Sequence, residues 1–204
     1  MKSFLFCFIF ISTITFSQTK QHIQPYVAKE TRQVTAFDDL SIRKNIAAIV
    51  ERDIVIYVEN EKLWLAKLNV DKWNIMLLSD QFNGEKELKI EEIDIDGTGS
   101  NELVIYWEFM GKQDLLNVIV KGIQIWNIDE QLCYLDEYTT CLEERYFKDA
   151  DLHIYAGCER KIELTNNIVT ISAFACDMEL NFEILPETKY LGKYQFKNGK
   201  FELL

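Results

Sequence analysis

The sequence predicts a mainly β fold of antiparallel sheets, a sandwich or blade-like assembly, with one short N-terminal helix. Three observations carry this expectation. From Asp53 onward the apolar residues alternate with period two and are rich in β-branched and aromatic types. Pairs such as Asn83-Gly84, Asn166-Asn167 and Asn198-Gly199 separate the runs, and such pairs suit two-residue hairpin loops. The runs recur about every 8–12 residues, the rhythm of all-antiparallel domains.

Taken in order, the chain opens with an export signal. Met1-Lys2 is a charged start, Phe4 to Phe16 an apolar centre, and Ser17 a small residue at a cleavage point that leaves Gln18 first. The apolar run is shorter than the roughly 20 residues a bilayer span needs. Residues 18–35 lack periodicity and read as an extended leader; 36–204 read as a single β-rich domain. Asp39 or Ser41 can cap a helix whose buried face is Ile42, Ile46, Ile49 and Val50. Strands follow at Ile54–Val58, Leu63–Leu68 and Trp73–Leu78. Leu88 and Ile90 alternate in one phase, Ile93 and Ile95 in the other, which predicts a bulge or a strand break at Glu91-Glu92. Leu103–Trp107 is continuously apolar, as in a strand buried on both faces. Leu115–Val120 and Ile123–Ile128 read as two more strands, a meander runs through Tyr134, Tyr138, Tyr146, Ile154 and Ile162 to Phe174, and Tyr194–Phe201 reads as a closing hairpin.

Charge narrows the partners. The chain holds 33 acidic residues against 22 Lys and Arg, a net of −11. Phosphate backbones and anionic lipid need a basic face, so nucleic acid is excluded as a partner, and so is a membrane once the signal is removed. The signal places the protein in the periplasm or outside the cell. Four cysteines then remain, Cys133, Cys141, Cys158 and Cys176, and an even number in an exported chain suggests two disulfides. A hairpin at Asn166-Asn167 with Thr165 opposite Ile168 puts Cys158 opposite Ala175, one position from Cys176, and a small bulge would bring the two sulfurs together. The preferred pairing is therefore Cys158–Cys176, with Cys133–Cys141 closing across a turn at Asp136-Glu137. The competing register sets Cys141 opposite Cys158 and leaves Cys133 for Cys176.

The most specific motif runs from Asp94 to Val104, Asp-Ile-Asp-Gly-Thr-Gly-Ser-Asn-Glu-Leu-Val. Ca²⁺ takes six to eight hard oxygens, and Gly97 and Gly99 permit the positive-φ turns that bend a loop around an ion. Eight acids lie between residues 80 and 102 against Lys86 and Lys89, a density that repels unless a cation or solvent screens it. This stretch resembles the calcium loop of FG-GAP and VCBS repeats, the blade motif of integrin-type β-propellers. The resemblance implies calcium ligands at Asp94, Asp96, Thr98, the Ser100 carbonyl and Glu102. Thr98 and Glu102 stand where that family commonly has Asp, which implies weak binding, about 10⁻⁴–10⁻³ M. The loop occurs once, and the chain is too short for a full ring, so the implied fold is incomplete-propeller-like.

Catalytic signatures are absent from the sequence: there is no Gly-x-Ser-x-Gly elbow, His-Glu-x-x-His or phosphate loop. His153 alternates toward the solvent side. Trp64, Trp73, Trp107 and Trp126 read mainly as core, with an exposed sugar platform as the alternative. The sequence thus predicts an exported, non-catalytic β domain that binds a protein or glycan, with weak calcium at one hairpin. The alternative is a secreted hydrolase using a carboxylate pair, or a hydrolase inhibitor.

Overall fold

The computed structural model describes residues 21–35, 46–51, 53–80, 88–113, 116–147, 152–178 and 189–204. Among them the fold is β throughout, in three antiparallel sheets, none of which closes into a barrel. The strands are β1 (His22–Ile23), β2 (Tyr26–Val27), β3 (Thr31–Val34), β4 (Ile46–Glu51), β5 (Ile54–Glu59), β6 (Lys62–Asn69), β7 (Lys72–Ser79) and β8 (Leu88–Ile93). There follow β9 (Glu102–Gln113), β10 (Leu116–Asn127), β11 (Leu132–Phe147), β12 (Leu152–Glu159), β13 (Ile162–Thr165), β14 (Ile168–Ile171), β15 (Ala175–Met178), β16 (Gly192–Lys197) and β17 (Lys200–Leu203).

The first sheet runs β3-β7-β6-β5-β4, the middle one β15-β12-β11-β10-β9-β8, and the third β1-β17-β16-β14-β13. They stack in that order. Ile56, Leu65 and Met76 of the first sheet meet Leu103, Ile105 and Trp126 of the middle one. On its other face the middle sheet offers Val104, Ile123, Ile125 and Tyr134 to Val169, Tyr194, Phe196 and Phe201 of the third. The outer face of the first sheet carries a further cluster of Tyr57, Trp64, Ala66, Ile75 and Leu77. The Arg32 guanidinium lies over the Trp64 ring and donates to the Tyr57 hydroxyl at 3.0 Å.

The middle sheet explains the phase change at Glu91-Glu92. β8 pairs with β9 without a break, from Leu88 opposite Trp107 to Ile93 opposite Glu102. There is no bulge. Leu88 and Ile90 face one neighbouring sheet and Ile93 the other, because a middle layer has a core on each side. The two strands expected at 115–128 are one, β10, which runs unbroken opposite β9; β11 bulges against it near Lys121 and Trp126.

The helix expectation is corrected over 46–51. Ile46 and Ile49 lie in β4, paired with β5. Their β-branched side chains suit a pleated surface, and a neighbouring strand that bonds the backbone overrides a weak helical spacing. Asp39, Ser41 and Ile42 lie outside the described residues. Within the segment read as a leader, the described residues form three short strands. β1 and β3 add to the edges of the third and first sheets, against β17 and β7, while β2 pairs with the first residues of β11, an interior strand, ahead of the stretch that β12 covers, so residues 22–34 touch all three sheets.

The Cys158–Cys176 disulfide is formed, between directly opposed residues of β12 and β15. It closes the neck where the chain leaves the middle sheet to build the β13–β14 hairpin and then returns. That hairpin has the expected register, Thr165 opposite Ile168. The Cys133–Cys141 bridge does not form, and both thiols are free. Asp136-Glu137 is not a turn but the interior of β11. Eight residues of strand hold the two cysteines roughly 26 Å apart at about 3.3 Å per residue, far beyond disulfide reach. The alternative register is also present: Cys141 stands opposite Cys158 without bonding to it.

Candidate functional site

The loop between β8 and β9 brings together the three carboxylates among the five residues expected to ligate calcium. Ligand oxygens of Asp94, Asp96 and Glu102 all lie within 4.8 Å of one another. Two ligands at 2.3–2.6 Å from one Ca²⁺ can be no more than about 5 Å apart, so the triad meets the spacing such an ion requires. Gly97 and Gly99, at φ 73° and 83°, turn the chain around this point. Asp94 accepts the backbone N–H of Gly97 at 2.7 Å and of Gly99 at 3.1 Å. Asp96 accepts the N–H of Thr98 at 2.9 Å. The Thr98 side chain, bonded to the Asp96 carboxylate, holds it below its ordinary pKa. Thr98 and Ser100 belong to the same loop but lie outside the carboxylate triad; Thr98 Oγ1 accepts the Ser100 N–H at 3.4 Å.

Glu102 differs from its two partners. It is the first residue of a core strand and is 1% exposed. Its Oε2 accepts the Ile95 N–H at 2.9 Å. Burial pushes its carboxyl above the usual range, and the nearby charges of Asp96 and Asp94 push the same way. The cluster is thus a hard, all-oxygen donor set holding one carboxylate that is costly to keep ionised without a counter-charge. This fits a divalent cation with oxygen ligands, and Asp94, Asp96 and Glu102 would hold it.

A second site is a cleft of about 470 Å³. Strands of the first sheet are at most eight residues long, whereas β9, β10 and β11 run to 12, 12 and 16. Where the first sheet ends, at Ser79-Asp80, the longer strands continue and leave a hollow. Tyr26, Lys29, Leu77, Leu78, Asp80, Trp107, Phe109, Gln124, Asp136 and Tyr138 are among its walls.

Asp136 is held at both oxygens. Tyr26 donates its hydroxyl to Oδ2 at 2.7 Å, and Gln124 Nε2 donates to Oδ1 at 3.1 Å. The Gln124 amide is fixed in turn: its Oε1 accepts Trp126 Nε1 at 3.0 Å, and its Nε2 also donates to the Leu78 carbonyl at 3.1 Å. Asp136 keeps solvent access through the mouth of the cleft, while protein crowds its other sides and pushes its pKa up. Across the cleft, Lys29 pairs with Asp80 at 2.8 Å and holds that carboxyl down. The Tyr26 hydroxyl and the Cys133 thiol are raised too, chiefly by burial. Trp107 packs against Gly122 and makes a T-shaped contact with Tyr138 at 5.6 Å between centroids.

Comparison with protein-family models, curated proteins and solved structures returns no match. The reading of this chain therefore rests on its own residues.

Of the four tryptophans, Trp126 and Trp64 are core, and Trp107 alone of the four lines the cleft. The other cleft residues have no motif spacing. The one trace they leave in the sequence is a polar residue at a core-facing position of an apolar strand, Gln124 between Ile123 and Ile125, and Asp136 after Leu135.

Proposed function

We propose that this is an exported, non-catalytic β module that binds a protein or glycan partner and is stiffened by calcium. The ion is held weakly between β8 and β9 by Asp94, Asp96 and Glu102, with oxygens of Thr98 and Ser100 completing the set as the FG-GAP and VCBS resemblance implies. The observation that carries this reading is the convergence of the three carboxylates within 4.8 Å on a loop turned by two positive-φ glycines. Calcium would neutralise mutual repulsion and the buried Glu102 charge together. Calorimetric titration with CaCl₂ tests it. Heat is expected in the range of about 10⁻⁴–10⁻³ M and is lost in Asp94→Ala. No heat at millimolar calcium, or the same heat in the variant, overturns the metal site.

One observation favours the second reading, a carboxylate-pair glycoside hydrolase. Asp80 and Asp136 share a cleft, and their surroundings move their pKa values in opposite directions, the division of labour that acid–base pairs use. Release of reducing ends from a panel of polysaccharides, abolished by Asp136→Asn, would establish this reading in place of the first.

A further inference from the structure

We propose that the cleft beside Asp136 takes an organic cation, an alkylammonium or guanidinium group, and that a basic side chain of the partner supplies it. This deepens the binding-module reading and rests on it.

The first argument is a missing counter-charge. Asp136 is pinned by two neutral donors, Tyr26 and Gln124. The ammonium on the cleft wall, Lys29, is bonded to Asp80 instead. Among the described residues no Lys, Arg or His forms an ion pair with Asp136. A carboxylate has about four acceptor positions, of which two are filled, and a crowded carboxylate is costly unless a cation meets it. The second argument is the direction of hydrogen bonding. Both N–H directions of Gln124 and the Tyr26 proton are spent inside the protein. Asp136 itself is left offering only acceptors, so the group that meets it donates. The third is the wall. Tyr26, Trp107 and Tyr138 are aromatic, and Tyr138 is 49% exposed. Aromatic faces beside a carboxylate favour a cation by the ring quadrupole as well as by charge. Two carboxylates against one ammonium reject an anion, and the net charge of −11 draws cations toward the surface.

The titratable groups around Asp136 are Tyr26 from β2, Lys29 from the segment after it, Asp80 following β7, and Cys133, Glu137 and Tyr138 from β11 itself. β9 and β10 contribute neutral Trp107 and Gln124. Within this set the net push on Asp136 is toward protonation, so a bound cation must displace a proton as pH falls. Binding therefore weakens in acid.

The experiment titrates the exported protein with three probes: cadaverine, a blocked Ala-Arg-Ala peptide, and the same peptide with citrulline in place of arginine. The arginine peptide should bind at least about tenfold more tightly than the citrulline peptide, the size of a charge-assisted hydrogen bond. Asp136→Asn should remove that preference, and Tyr138→Ala, at an exposed position, should weaken binding without unfolding the domain. Cadaverine binding as well as the peptide supports the same chemistry with a free amine as its source; cadaverine failing where the peptide binds supports a partner side chain. Equal binding of arginine and citrulline, a preference unchanged in Asp136→Asn, or binding of maltotriose in place of either cation overturns the proposal. Cleavage of the peptide would sink the non-catalytic reading and leave the cation preference standing.

Discussion

Gly122 offers a sharp test of how the cleft wall is built. It lies on β10 directly between Trp107 of β9 and Tyr138 of β11. A methyl group added there would stand 2.3 Å from Trp107 Cζ2 and 2.4 Å from Cε2. Carbon atoms in contact sit about 3.5–4.0 Å apart, so in Gly122→Ala the indole must retreat by about 1.2 Å or more. It cannot do so freely, because the Tyr138 ring packs against it in a T-shaped contact at 5.6 Å between centroids. Overpacking of this kind costs about 1–3 kcal/mol. In a chain of this size each kcal/mol is worth about 2–4 °C, so Tm should fall by roughly 2–12 °C. Circular dichroism melts give Tm, and tryptophan emission reports the indole environment. In a Trp107→Ala background the same glycine substitution should cost almost nothing, since the atoms it strikes are gone. An unchanged Tm and emission for Gly122→Ala, or an equal loss in both backgrounds, would refute this account of the wall.

Further outcomes follow from charge and sulfur. At 10 mM CaCl₂ and a Kd of 10⁻⁴–10⁻³ M, binding to the native state alone adds about 1.4–2.7 kcal/mol, a rise of roughly 3–11 °C that Glu102→Gln should abolish. Because the native Glu102 pKa lies above its ordinary 4.5, its contribution to stability is complete below that value and is lost as pH rises through the folded one. Urea melts without calcium should therefore show Glu102→Gln gaining on the parent as pH is raised; a constant difference would count against a buried carboxylate. Arg160 and Glu137 form a buried ion pair, and Arg160 Nε also donates to the Tyr138 carbonyl at 2.6 Å. Glu137→Ala leaves the guanidinium unpaired and should cost about 3–5 kcal/mol, read from urea melts. Alkylation of the denatured, unreduced protein should label Cys133 and Cys141 and spare Cys158 and Cys176; labelling of the second pair, or of neither residue of the first, would contradict the Cys158–Cys176 bridge.

Strands were legible where alternation is local. Ile54–Val58, Leu63–Leu68 and Trp73–Leu78 announce themselves, and so do the hairpins at Asn166-Asn167 and Asn198-Gly199; Asn83-Gly84 lies outside the described residues. The errors came where a residue's fate depends on distant chain. Ile46 and Ile49 fit a helix or a strand until β5 lies beside them. Leu88, Ile90 and Ile93 suggest a bulge until cores are known on both sides of β8. Cys133 and Cys141 suggest a bridge until a 16-residue strand separates them. The acid loop is legible because its three carboxylates fall within nine residues. The cleft is not, because Tyr26, Asp80, Trp107 and Asp136 lie far apart in the chain and meet only where the first sheet ends on the middle one.

The strap of residues 22–34 has a consequence for the order of events in folding. β1 pairs with β17, so the start of the described chain lies in one sheet with residues 200–203. β2 and β3 wait likewise for β11 and β7. Contacts of such long sequence separation slow folding. A chain emerging from its amino end therefore carries three short strands with nothing to dock on until later sheets exist, and the third sheet is complete only when the last strand has arrived. Until then its edge stays open to pairing with another chain, so the vulnerable interval for aggregation is the one just before residue 203 is in place.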